Sequence, residues 1–310
     1  MAEHTRGASL RAIEAVGPVK LKVYGAYKQN FLKETTQEPW GKGLFDYNKT
    51  AAGFEVEGKG PLMVETWRAG ADYYVTKFPN FQSLASIQAG AEINAGKDVL
   101  NFSAVDLPLA ADLAFGRRRL ELKALTSFRK FTDQNVVTDA GTFSADKRRD
   151  LYWNLSAGFT QLLPKASLWG SLESSVGLDA AYGNLHSNQN SYDVSIVTFR
   201  PNFYSYKETS AGPRYRFRWR QWMTGGLSYL MAYRDYAGRP AQDLAGTDKG
   251  SAIKTRTQTF RVSMAFPLPS GFSIQLQGAT QHADSNMAHE TTYRYNYSSS
   301  NYFLGVAYEL

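Results

Sequence analysis

The sequence predicts an all-β fold: a transmembrane antiparallel up-and-down β-barrel of about twelve strands, with about fourteen as the alternative. Three observations carry this expectation. Apolar residues recur at every second position in segment after segment, connections alternate between short and long, and the chain ends on an alternating strand of large side chains.

Composition bounds the rest. The 310 residues hold 35 Lys and Arg against 28 Asp and Glu, a net charge of +7, with no Cys and four His. Thiolate metal centres, disulfide frameworks and cysteine nucleophiles are therefore excluded, and neither a metal nor a cofactor is expected. The 19 Tyr and 26 Gly, set among alternating polar and apolar residues, favour strands. Mean hydropathy is −0.40, and no run reaches the roughly eighteen apolar residues of a membrane helix.

Residues 1–18 read as a periplasmic N-terminal arm, in which Leu10, Ile13 and Val16 would share one side of a short helix. Met1-Ala2-Glu3 lacks the basic start and apolar stretch of a secretion signal, so Met1 reads as an initiator added to a mature chain or to a C-terminal fragment. Residues 19–310 read as the barrel. Alternation is weak through Val19 to Lys28, Trp67 to Val75, Ala85 to Ile93 and Leu100 to Ala104. It is clear at Leu120, Leu122, Ala124 and Phe128, at Trp153, Leu155, Ala157 and Phe159, and at Leu168, Leu172, Val176 and Leu178. Phe260, Val262, Met264 and Phe266 and then Phe272, Ile274 and Leu276 flank the turn composition Pro267 to Gly271 and predict a hairpin. Thr50 to Gly60 and Val105 to Gly116 fit either an extra strand or an elaborated loop.

Short connections at Pro79-Asn80-Phe81, Leu163 to Ala166 and Pro267 to Gly271 contrast with long polar ones at Phe31 to Lys49, Thr132 to Arg149, Arg239 to Lys254 and Ala283 to Arg294. Short turns at one rim and long loops at the other are the barrel pattern. Both termini are expected at the periplasmic rim, with the first strand near Val19 paired to the last near Leu310. Apolar faces would meet lipid and polar faces would line a narrow lumen.

The last strand places Tyr302, Leu304, Val306, Tyr308 and Leu310 on one face. Asn301 to Leu310, with Tyr308 antepenultimate, resembles the closing strand of Gram-negative outer-membrane β-barrel proteins of the porin and export-barrel kind, although Leu310 stands where that class favours Phe or Trp. Tyr293 to Tyr297 also looks loosely similar to tetratricopeptide-linked export barrels. The resemblance implies an outer-membrane location, surrounding outer-membrane lipid, the barrel-assembly machinery as the reader of the terminal strand, and a periplasmic or upstream export partner as an option.

The most unusual local feature is Arg214-Tyr215-Arg216-Phe217-Arg218-Trp219-Arg220, which puts four Arg on one strand face and three aromatics on the other. With Arg234, Lys123 and Arg129 in the same inward phase, these Arg are candidate pore-lining residues, since basic rings favour anions. Glu121, Glu173 and Asp179 share the phase and are candidate partners that would brace the wall. Nucleic acid is not expected as a partner, because cations and aromatics alternate to opposite faces instead of sharing one. His186-Ser187-Asn188 resembles elements of outer-membrane phospholipase, but adjacent strand residues point apart, so no catalytic pair is expected. His282 and His289 with Asp284 and Glu290 read as polar loop decoration. The expected function is a non-enzymatic outer-membrane channel or export pore with a narrow electropositive lumen for small or polymeric anionic and polar solutes. An anchoring barrel that presents loops or holds a partner is the alternative, and a lipid hydrolase the remote one.

Overall fold

The computed structural model describes residues 2–33, 37, 39–83, 94–166, 171–194, 196–268, 271–290 and 294–308. The strand expected over Ala85 to Ile93, Leu168 and Leu310 lie outside the described residues.

Alternation at every second residue produces strands along the whole described chain. They are β1 (Ala2–Val16), β2 (Val19–Lys33), β3 (Tyr47–Gly58), β4 (Val64–Lys77), β5 (Phe102–Phe115), β6 (Arg118–Val137), β7 (Phe143–Leu162) and β8 (Leu172–Ser187). A small hairpin of β9 (Ser191–Asp193) and β10 (Thr198–Arg200) follows, then β11 (Tyr206–Trp219), β12 (Met223–Gln242), β13 (Asp248–Pro267), β14 (Phe272–Ser285) and β15 (Tyr297–Tyr308). Thirteen of them form one antiparallel meander in which each strand pairs with its neighbours in order, β8 pairing directly with β11. Both ambiguous stretches are strands, β3 and β5. The predicted hairpin is present in register, with Met264 opposite Leu276.

Four expectations are corrected. Ala2–Val16 is neither a helix nor an arm outside the barrel: it is a strand paired residue by residue with β2, from Ala2 opposite Lys33 to Val16 opposite Val19. Val19 therefore starts the second strand, and its two edges are taken by β1 and β3, so it does not pair with the last strand. Among the described residues the sheet is open, with β1 and β15 as its edges. An odd number of strands also places Ala2 at the long-loop rim and Tyr308 at the short-turn rim, so the termini lie at opposite rims. Finally, Thr132 to Arg149 and Arg239 to Lys254 are mostly strand, because β6, β7, β12 and β13 each run 20 residues. Each is roughly twice the ~9–11 tilted residues of a bilayer-crossing strand, and register shifts at Lys130 to Val137 and Asp235 to Gln242 break the alternation there.

Short turns take the residues such turns need. Gly17-Pro18 and Gly116-Arg117 connect hairpins with glycine at φ +59° and +63°, the positive φ that two-residue hairpin loops require. Within the sheet, Gly212-Pro213 interrupts the β11–β12 ladder between the Ala211–Met231 and Arg214–Ser228 pairs.

Among the described residues the apolar face of the sheet carries exposed Leu, Phe and Tyr. The buried core sits instead under the long loops, where Val99, Val137, Ala241 and Ile253 are 2 % exposed or less and Gln134 and Gln189 are fully buried. Arg148 is packed there between the Phe131 and Tyr204 rings, 4.3 and 4.0 Å from their centroids, and donates to both oxygens of Asp150 at 2.9 and 2.7 Å. Beside β15, the Glu290 carboxylate accepts from the backbone N–H groups of Tyr295 and Asn296 at 2.8 and 2.7 Å and from Asn296 Nδ2 at 2.9 Å. These donors, the Asn296 amide first, hold its pKa below the usual carboxylate value.

Two outcomes follow from these contacts. A Cβ at Gly212 would lie 1.8 Å from the Tyr229 carbonyl oxygen, so Gly212→Val should cost about 1–3 kcal/mol, read as a lower unfolding temperature in detergent. Because the Glu290 pKa is depressed, its contribution is full above the ordinary Glu value of about 4.3 and is lost as pH falls through the folded value. Amide protection at Tyr295 and Asn296, corrected for intrinsic exchange, should therefore drop on acidification below that value, and Glu290→Gln should make it independent of pH there.

Candidate basic wall of the polar face

Cross-strand register decides which side chains meet. Arg214, Arg216 and Arg218 of β11 lie opposite Gly177, Ser175 and Glu173 of β8 and opposite Ser228, Gly226 and Thr224 of β12. Following the ladder outward, the same face carries Asp179, Thr160, Glu121, Lys123 and Arg129 in one direction and Arg261, Ser263, Gln275 and Gln277 in the other. Arg234 joins it opposite Glu208. Nine of the ten candidate residues thus share one polar face.

Arg220 does not. Strand β11 ends at Trp219, and Arg220 opens the turn with φ +49°, its guanidinium 5.9 Å from the Trp222 ring centroid. The left-handed backbone breaks the two-residue phase that made Arg220 look like a fourth member of the row.

The remaining Arg divide into braced and open groups. Arg214 donates to Asp179 Oδ1 at 2.6 Å and to the Thr160 hydroxyl at 2.6 Å, reaching across two strands. Arg234 donates to Glu208 Oε2 at 2.8 Å and lies 4.3 Å from the Tyr206 ring centroid. Among the described residues, Arg216 and Arg218 have no carboxylate within ion-pair distance: Glu173 is taken by Lys165 at 2.6 Å and Glu121 by Lys123 at 3.1 Å.

Arg216 and Arg218 face a hollow of about 970 Å³ near the short-turn rim, whose wall also includes Arg117, Arg119, Lys165, Glu121 and Glu173. Five cations thus stand against two carboxylates. A second hollow of about 450 Å³ adjoins it, with Arg214, Arg216, Arg261 and Asp179 in its wall. Sequence reasoning missed Arg117 and Lys165, which lie in turns outside the strand period, and Arg119, which sits at the start of β6 in the phase of Glu121 and Lys123. The three consecutive Arg after Gly116 were the available signal.

The other half of the sheet is charge-balanced. Lys22 bridges Glu55 at 2.7 Å and also Glu57, and Arg68 meets Asp112 at 2.8 Å beside Thr66. The excess positive charge is therefore local to β6, β8 and β11 and their turns.

The other sequence candidates separate. His186 is exposed and Ser187 buried on opposite faces of β8, with the Ser205 hydroxyl donating to the Ser187 carbonyl oxygen. His282 contacts Ser298 Oγ through Nδ1 at 2.8 Å and Asp284 through Nε2 at 3.0 Å, on strands β14 and β15. Tyr302, Leu304 and Val306 share the apolar face of β15, all widely exposed.

The fold is an up-and-down antiparallel sheet with one apolar and one polar face. Solved structures similar to the chain include the siderophore receptor PiuA from Acinetobacter baumannii (TM-score 0.41, 12 % identity, covering 90 % of this chain and 48 % of that one). The FrpB iron transporter from Neisseria meningitidis matches at TM-score 0.41 and 8 % identity over 91 % of this chain and 52 % of its own. The copper transporter OprC matches at 0.40 and 10 % over 99 % and 58 %. The chain spans about half the length of these proteins. No family model and no curated protein sequence matches it.

Arg214 and Asp179 are both partly exposed, so their bridge should be worth about 0.2–1 kcal/mol. Asp179→Asn should lower the unfolding temperature in detergent slightly, and Arg216→Gln, lacking a partner, should leave it unchanged.

Proposed function

We propose that the chain forms the wall of an outer-membrane channel whose polar face lines an aqueous path and whose short-turn mouth attracts anionic solutes. The observation that carries this reading is the pair of open guanidinium groups, Arg216 and Arg218, in a hollow where cations outnumber carboxylates. Against a low-dielectric wall their potential adds, and salt screens it over ~8–10 Å. Arg214, tied to Asp179, braces the wall, so the three Arg of the row have different duties. The path is complete once the β1 and β15 edges are paired, because lipid leaves no backbone donor or acceptor unsatisfied.

A second reading, a barrel that presents its loops to a partner, is favoured by the packed core beneath them: Val99, Val137 and Ile253 with the Arg148–Asp150 pair make a rigid platform.

Planar-bilayer recordings across a salt gradient separate the two. A channel of this kind should show a reversal potential of anionic sign that shrinks as salt rises. Changing Arg216 and Arg218 together to Gln should reduce it, whereas Arg220→Gln or Phe217→Leu should not. Cation preference in the unmodified protein would overturn the proposal, and absence of conductance would leave the loop platform as the function.

A further inference from the structure

On the opposite, outward face the apolar band ends at the long-loop rim in cations. Lys77, Lys130, Arg149, Lys207, Arg256 and Lys254 are all exposed there, against Asp235 and Asp284. Lys130 and Arg149 are direct register partners on β6 and β7. Like charges directly opposite on neighbouring strands repel, and among the described residues neither cation has a carboxylate within ion-pair distance. Two side-by-side cations with no internal counterion are the arrangement an external anion relieves.

Below that pair the same two strands turn apolar, step by step. Phe128 faces Leu151, Thr126 faces Trp153, and Ala124 faces Leu155. Trp153 packs on Tyr182 with ring centroids 5.2 Å apart. An apolar groove of about 750 Å³ then opens among Leu109, Leu122 and Leu155. At ~3.3 Å per residue the groove begins roughly 20 Å along the strands from Lys130.

We propose that the outward face of β6 and β7 binds a phosphate-bearing membrane lipid, the phosphate between Lys130 Nζ and the Arg149 guanidinium and the acyl chains over Phe128 and Leu151 into the groove. This rests on the outward face being the lipid face. Charge over an apolar floor is the complement of an anionic headgroup over its tails, and neither half alone would select such a molecule.

The test uses the full chain in phosphatidylcholine vesicles with and without phosphatidylglycerol, followed by extraction and measurement of retained lipid. Phosphatidylglycerol should be retained selectively. Changing Lys130 and Arg149 together to Gln should reduce its retention about 25-fold at low salt, at roughly fivefold per cation near a membrane surface, while Arg149→Lys keeps it. Equal retention by the Gln variant, once inserted, would overturn the proposal, as would equal stabilisation by inorganic phosphate without lipid. Should the Gln variant fail to insert, selective retention by the unmodified chain that high salt or Lys130→Gln alone lowers supports the site, and retention indifferent to both overturns it. Failure of the unmodified chain to enter any vesicle would overturn the membrane-wall reading itself.

Discussion

Everything in this molecule depends on antiparallel register. Because side chains alternate with a period of two, each pairing step copies the choice of face from one strand to the next, and a slip of one residue would turn a polar face outward. Thirteen strands keep that choice through the middle of the sheet, and the register shifts fall towards strand ends, at Val64 to Thr66, Lys130 to Val137 and Asp235 to Gln242. The ladder is what brings Asp179, Thr160 and Arg214 together from three strands, and what sets Lys130 beside Arg149. None of these neighbours is close in sequence.

Packing takes second place, and its location is inverted relative to a water-soluble sheet. The membrane-height residues present aliphatic groups outward and polar groups inward with little covered on either side, while the densest burial lies under the loops around Val99, Gln134 and Ile253. Backbone pairing holds the wall, and a small conventional core holds the loop rim. Within that wall Gly212 stands where a neighbouring carbonyl occupies the place of a Cβ, so the backbone pairing leaves no room for a side chain there.

The legible part of the sequence was the part the bilayer disciplines. Alternation announced the hairpin at Pro267 to Gly271 and the shared face of Arg214, Arg216 and Arg218, because those residues have one greasy and one wet side. It failed over Thr132 to Arg149 and Arg239 to Lys254, where register shifts break the two-residue phase and polar Gln134 and Arg148 are buried beside Val137, with Ala241 and Ile253 buried on the second hairpin. It also failed at Ala2–Val16, where Leu10, Ile13 and Val16 mimic a helical spacing and the strand is decided by its distant partner β2. Arg220 was misjudged because nothing in the local sequence announces that a non-glycine residue takes a positive φ. The turn cations Arg117 and Lys165 meet Arg216 and Arg218 across the hollow, while Arg119 reaches the same face through the ladder, opposite Thr160.

Strand number has an arithmetical consequence for how such a wall is completed. With thirteen strands in an up-and-down order, β1 and β15 run in the same direction. Joined to each other, they would make a parallel seam in an otherwise antiparallel cylinder, with slanted hydrogen bonds and slightly weaker pairing per residue. A cylinder antiparallel at every seam instead needs an odd number of further strands between them. Parity alone therefore restricts which partners can close this sheet, before any side chain is consulted.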